Sequence, residues 1–224
     1  MLGRRSTYKV QTVAAIVLNN LATNPWNAIA IAIVGAIPRL VQLLRPGFSM
    51  IVQEAAAGAL RNLALDAGNA VSIAAAGAVP RLVQLIGPGV PPLAQRTATG
   101  ALIHLTANGA IVDAIVTAGA IPPLVQLLGA GNPGPVQEHA ARLLERLTAQ
   151  SALNAMTIAG AGAVPALMQL MAHGSDPTTA AHALAAMGMS HAGVAAMIGS
   201  AYVHSSADMR AAVDAVQAAI ARAR

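Results

Sequence analysis

The sequence predicts an all-α solenoid of about four helical repeats closed by a helical C-terminal cap, and three observations predict it. A phrase of the form Gly-Ala-Ile/Val-Pro stands at Gly35, Gly77, Gly119 and Gly162, at intervals of 42, 42 and 43 residues. Self-similarity at about 40 to 47 residues marks arrays of short helices. Each phrase leads into a one-sided apolar stripe, first Ile37, Leu40, Val41, Leu43 and Leu44, then Val79, Leu82, Val83, Leu85 and Ile86. Ile121, Leu124, Val125, Leu127 and Leu128 repeat it, as do Val164, Leu167, Met168, Leu170 and Met171. That spacing is helical, and the stripe is what one repeat buries against the next. Finally, 56% of the residues are hydrophobic but only 2% aromatic, so the core consists of small aliphatic side chains that let helices approach closely.

The elements follow in order. Within the phrase, glycine permits the left-handed corner that ends one helix, and proline suits the first turn of the next, where its missing N–H has no partner to lose. Residues 9–22 form a long helix, so the chain enters its array partway through a first repeat that lacks two leading helices. The apolar side of that helix, Val10, Val13, Val17 and Leu21, is therefore expected to be exposed and to drive self-association. Counting eight residues back from each corner glycine places helix N-caps at Asn27, Asn69, Ile111 and Asn154, three of them good capping types. Further long helices are expected at 50–65, 92–107 and 135–149, each entered through a Gly/Pro-rich loop. Within the apolar stripes Gln42, Gln84, Gln126 and Gln169 point outward. After Met171 the pattern decays into a helix from about Pro177 to Met189 and a last one from about Ser206 to Arg222, as expected of an atypical end repeat. The organisation is thus a basic tail over 1–6, repeats over 7–190 and degenerate capping helices over 191–224.

A formal net charge of +5 raises nucleic acid as a partner, but the positive residues cluster at the two termini and scatter elsewhere among acids. No aromatic residues are interleaved to stack on bases, which argues against it. With no cysteine there is neither a disulfide framework nor a thiolate metal site, and an intracellular compartment, cytoplasmic or nuclear, is the simplest expectation. The apolar stretch from Trp26 to Leu44 is interrupted by Asn27, Pro38 and Arg39 and fits the repeat register, so no membrane span is expected.

Segments such as VQEAAAGALRNLALDAGNAVSIAAAGAVPRLVQLI resemble the armadillo-repeat proteins, most closely plant-type armadillo domains, including those joined to U-box ubiquitin ligases. The resemblance covers roughly residues 7–190 and implies a right-handed superhelix whose concave groove is lined by the third helix of each repeat. It implies that an asparagine near the end of each third helix bonds the backbone of an extended peptide. Aligned on Ala-Leu-x-Asn-Leu, those positions are Asn20, Asn62, His104, Arg146 and Ala186, so only two keep the family's asparagine. One turn earlier, where import adaptors carry tryptophans, stand Ile16, Gly58, Gly100, Arg142 and His182, which argues against import-signal binding. Gly58 is expected to clear the groove floor. A turn further up lie Glu54, Arg96 and Glu138, so the groove mixes charges. Glu138, Arg142 and Arg146 are spaced i, i+4, i+8, and two readings stand: an intrahelical Glu-Arg ladder, or an arginine pair that grips a carboxylate of a ligand.

Other motifs carry less. Histidines at 104, 139, 173, 182, 191 and 204 lack the spacing of a zinc motif. Gly129-Ala-Gly131-Asn-Pro-Gly134 matches a dinucleotide fingerprint in form, yet follows a helix and contains a proline that removes a needed donor. Gly188-Met-Ser190-His-Ala192 approaches a nucleophile elbow without a preceding strand. The sequence therefore reads as a protein-interaction scaffold, not an enzyme, with a protein or peptide segment as partner and no cofactor. Two other readings are the substrate-recognition part of a larger ubiquitin ligase and a structural subunit of a large assembly.

Overall fold

A computed structural model describes residues 2–174, 177–190, 196, 198 and 207–222 of the chain. Among these residues the regular structure is helical and there is no β-strand. They fall into two compact units, residues 1–118 and 119–224.

The first unit contains the long helices α1 (Leu2–Leu21), α4 (Met50–Leu63) and α7 (Pro92–Leu105). Between them run the short pairs α2 (Pro25–Ile33) with α3 (Ala36–Leu43) and α5 (Ala67–Ala75) with α6 (Ala78–Gln84), followed by α8 (Gly109–Thr117). Helix α1 begins upstream of Lys9, so Arg4 and Arg5 are helical. α4 packs against both α1 and α7, and α2 and α3 cover it. Its run Ala55, Ala56, Ala57, Gly58, Ala59, Leu60 is buried throughout, because small side chains let neighbours close in from several sides. Full burial of a leucine such as Leu60 is worth about 1.5–3 kcal/mol.

The second unit contains α9 (Ile121–Leu127), α10 (Gly134–Thr148), α11 (Ala152–Gly160), α12 (Ala163–His173), α13 (Pro177–Ser190) and α14 (Ala207–Arg222). α13 packs on α10 and α12, and α14 packs on α13. Gly188 is where α14 comes closest: a Cβ there would meet the Ile220 side chain. The elbow-like Gly188 thus lies inside a helix and serves packing, while His191 and Ala192 fall outside the described residues.

The corners form as the sequence predicts. Gly35, Gly77, Gly119 and Gly162 have φ of 77°, 78°, 80° and 87°, the left-handed region. Across Gly35 the chain turns by 91° between α2 and α3.

The caps require a correction. The residues that cap the short helices are Asn24, Asp66, Asn108 and Ser151, one turn ahead of the positions expected. Asn24 Oδ1 accepts from the Trp26 amide at 2.9 Å and Asp66 Oδ1 from the Asn69 amide at 2.9 Å. Asn69 and Asn154 are buried inside their helices, and Asn154 Nδ2 donates to the Leu147 carbonyl at 3.0 Å. The short helices are one turn longer than the count from the corner glycine assumed, so these asparagines lie inside the first turn: Asn154 makes a tertiary hydrogen bond, Asn69 Nδ2 is buried without a partner, and Asn27 is exposed.

A second device recurs that the sequence reading missed. Gln53 Nε2 donates to the Phe48 carbonyl at 2.8 Å, Gln95 Nε2 to the Gly87 carbonyl at 3.0 Å, and Gln137 Nε2 to the Gly129 carbonyl at 2.8 Å. Each is a largely buried glutamine in the first turn of a long helix that ties down the loop leading into it. Satisfying those loop carbonyls holds the short helix just before each loop, α3, α6 or α9, against the long helix that follows.

Candidate functional site

The expected site residues separate by unit. In the first, Asn20, Asn62 and His104 occupy matching positions near the ends of α1, α4 and α7, with Glu54 and Arg96 two turns earlier on α4 and α7. Asn20 is exposed, His104 half-buried, and Asn62 nearly fully buried.

The amide of Asn62 is already engaged. Its Nδ2 donates to the Asn19 carbonyl at 3.0 Å and to Asn19 Oδ1 at 3.1 Å, while its Oδ1 accepts from Arg61 Nε and Nη2, both at 3.4 Å. Asn62 thus ties α4 to α1. Gly58 also differs from expectation: an added Cβ would lie 2.7 Å from Asn19 Oδ1. The space that glycine opens is filled by Asn19 and is not a vacant groove floor. Beside Asn62 lies a largely apolar pocket of about 220 Å³, lined by Ala22, Pro25, Ala28, Ile29, Leu65 and Asp66 among others.

Glu54 and Arg96 are half-buried, and among the described residues neither forms an ion pair. They stand in the same register on adjacent packed helices, each one turn ahead of a buried glycine, Gly58 or Gly100. This face therefore presents one negative and one positive group, both partly shielded from water.

In the second unit Glu138, Arg142 and Arg146 share α10. Arg142 Nη2 meets Glu138 Oε1 at 2.7 Å, an i,i+4 pair, so the ladder forms at that step, and Arg146 is exposed. Such a pair contributes a few tenths of a kcal/mol, roughly 0.2–0.5, to the helix. Outside these faces, Gln42, Gln84, Gln126 and Gln169 are all exposed. The glycine-rich segment from Gly129 is the loop into α10, where Asn132 Nδ2 donates to the Gln126 carbonyl at 3.0 Å. Among the described residues no group of three or more His, Asp or Glu is placed to hold a metal; His191 and His204 lie outside them. Among the same residues no single helix is long and apolar enough to cross a membrane.

Comparison with known proteins agrees with this architecture. The family model of the armadillo/beta-catenin-like repeat matches residues 24–65 and 110–149. A crystal structure of an engineered protein is similar at 27% identity and a TM-score of 0.78, over 95% of this chain and 92% of that one. A designed armadillo repeat protein matches at 22% identity and a TM-score of 0.77, over 93% of this chain and 92% of that one. Another, solved in complex with the peptide (KR)4, matches at 21% identity and a TM-score of 0.75, with the same coverage of 93% and 92%. No curated protein matches the chain.

Proposed function

We propose that this chain, which is similar to the armadillo-repeat proteins in its repeats and fold, is a scaffold that holds an extended segment of a partner protein against the faces of its long helices. The role is binding and not catalysis. One observation carries the reading: Glu54 and Arg96 are half-buried, without an ion-pair partner among the described residues, and in register on adjacent helices. A charge that has lost part of its hydration without gaining a partner is costly, and an opposite charge on a ligand offsets that cost. That a similar designed protein is bound to a (KR)4 peptide supports a peptide as the ligand class.

The ligand chemistry follows from spacing. Adjacent packed helices stand about 8–10 Å apart, and an extended chain advances about 3.3 Å per residue, so residues facing Glu54 and Arg96 lie about three apart. The fitting segment carries a basic residue opposite Glu54 and an acidic residue opposite Arg96. The apolar pocket beside Asn62 receives a neighbouring aliphatic side chain.

Panning a random peptide library on the immobilised chain tests this. Winning peptides should carry opposite charges about three residues apart, and Glu54→Arg or Arg96→Glu should weaken each by at least about fivefold. Winners that bind both variants as tightly as wild type would move the site elsewhere.

A further inference from the structure

The outward side of α1 repeats a register that is buried in the other long helices. Val10, Val13, Val17 and Leu21 are 64%, 60%, 46% and 46% exposed. Their counterparts 42 residues on, Val52, Ala55, Ala59 and Leu63, are 0%, 8%, 0% and 0% exposed, on the helix that α2 and α3 cover. At the end of α2, Ile33 and the C-cap residue Val34 are 80% and 79% exposed. The counterpart of Val34 is Ala76, which lines a cleft together with Pro38 and Val41 of α3.

A polar group marks the same place. Gln11 stands 42 residues before Gln53 and 84 before Gln95, the glutamines that bond the loop carbonyls following α3 and α6. In α1 the Gln11 Nε2 has no such carbonyl to donate to among the described residues, and its Oε1, an acceptor, is buried without a hydrogen-bond partner. The stripe, Val34 and Gln11 together reproduce the seat that α4 and α5 provide for α3 and its loop.

We infer that the outward face of α1, with Ile33 and Val34 at the end of α2, is a docking site for an amphipathic helix of a partner, seated as α3 is seated on α4. The chemistry of that helix is read from α3. It has apolar residues spaced like Ile37, Leu40, Val41 and Leu44, all buried, and then a loop whose carbonyl accepts from Gln11 as that of Phe48 accepts from Gln53. The seat continues an interface the molecule already builds, which is why a helix fits it better than an extended strand. This site is separate from the face carrying Glu54 and Arg96, and either can fail without the other.

The test uses the full chain and, as probe, a fluorescein-labelled synthetic peptide of residues 24–49, which contains α2, α3 and the loop through Phe48. Fluorescence anisotropy should show saturable binding. Val13→Asp with Val17→Asp should weaken it at least about tenfold, and Gln11→Ala about threefold or more. The peptide carrying Leu40→Asp and Leu44→Asp should not bind. Because Val13 and Val17 are exposed, the thermal melt of the double variant should match wild type, which separates lost docking from lost folding. Absence of binding, or binding indifferent to Val13 and Val17, overturns the inference. So does a stoichiometric dimer in sedimentation velocity that the peptide fails to dissociate, since a second copy would then be the occupant.

Discussion

Leu21 and Leu63 sit in the same register near the ends of α1 and α4, yet Leu63 is completely buried while nearly half of Leu21 faces water. The same split separates Val10 from Val52 and Val17 from Ala59. α4 has α1 and α7 beside it and the pair α2–α3 over it, whereas α1 packs on α4 and makes lesser contact with α2. In a stacked array a residue's environment comes from neighbouring repeats as much as from its own, so identical sequence positions carry different energies.

That comparison breaks most sharply when a charge is placed in the shared register. Ala55→Asp should destabilise the first unit by at least about 3 kcal/mol in urea denaturation, while Val13→Asp should change it by less than about 0.5 kcal/mol. Comparable losses from the two would mean that α1 is covered in solution. Truncation should separate the helices next: Leu63→Ala is expected to cost about 2–5 kcal/mol, and Leu21→Ala under about 1 kcal/mol. The loop ties provide a finer contrast, with Gln53→Ala costing about 1 kcal/mol and Gln11→Ala close to nothing when no partner is present. An equal cost from both would show that Gln11 already has an acceptor. The smallest effect lies away from the stripe, where Arg142→Ala should lower stability by about 0.2–0.5 kcal/mol at low salt and by less as salt is added.

Much of this architecture can be read from residues alone, because its signals are local. A glycine forced to positive φ and a helical apolar stripe depend only on the chain within a few residues of Gly35 or Leu40. The caps at Asn24 and Asp66 were harder, since Asn27 and Asn69 are equally good capping types one turn further in. Packing into the interior distinguishes Asn69 and Asn154 from the true caps, whereas Asn27 is exposed and differs from Asn24 only in its place along the helix. The glutamines of the long helices read as ordinary polar positions because the carbonyls they bind lie five to nine residues back in a loop of unspecified path. The candidate face was legible as a register but not in its chemistry. Asn20 and Asn62 are indistinguishable in sequence, and what separates them is that Asn62 has Asn19 of the neighbouring helix to bond.

Trp26 is the only tryptophan in the chain, and with 80% of its surface exposed it lies on the outside of α2. Its indole meets much the same solvent in the folded and unfolded chain. Intrinsic tryptophan emission should therefore change little across a denaturation curve that circular dichroism shows to be cooperative. The same property makes Trp26 a built-in optical reporter that is nearly silent on folding and shifts to the blue when something covers that end of the first unit.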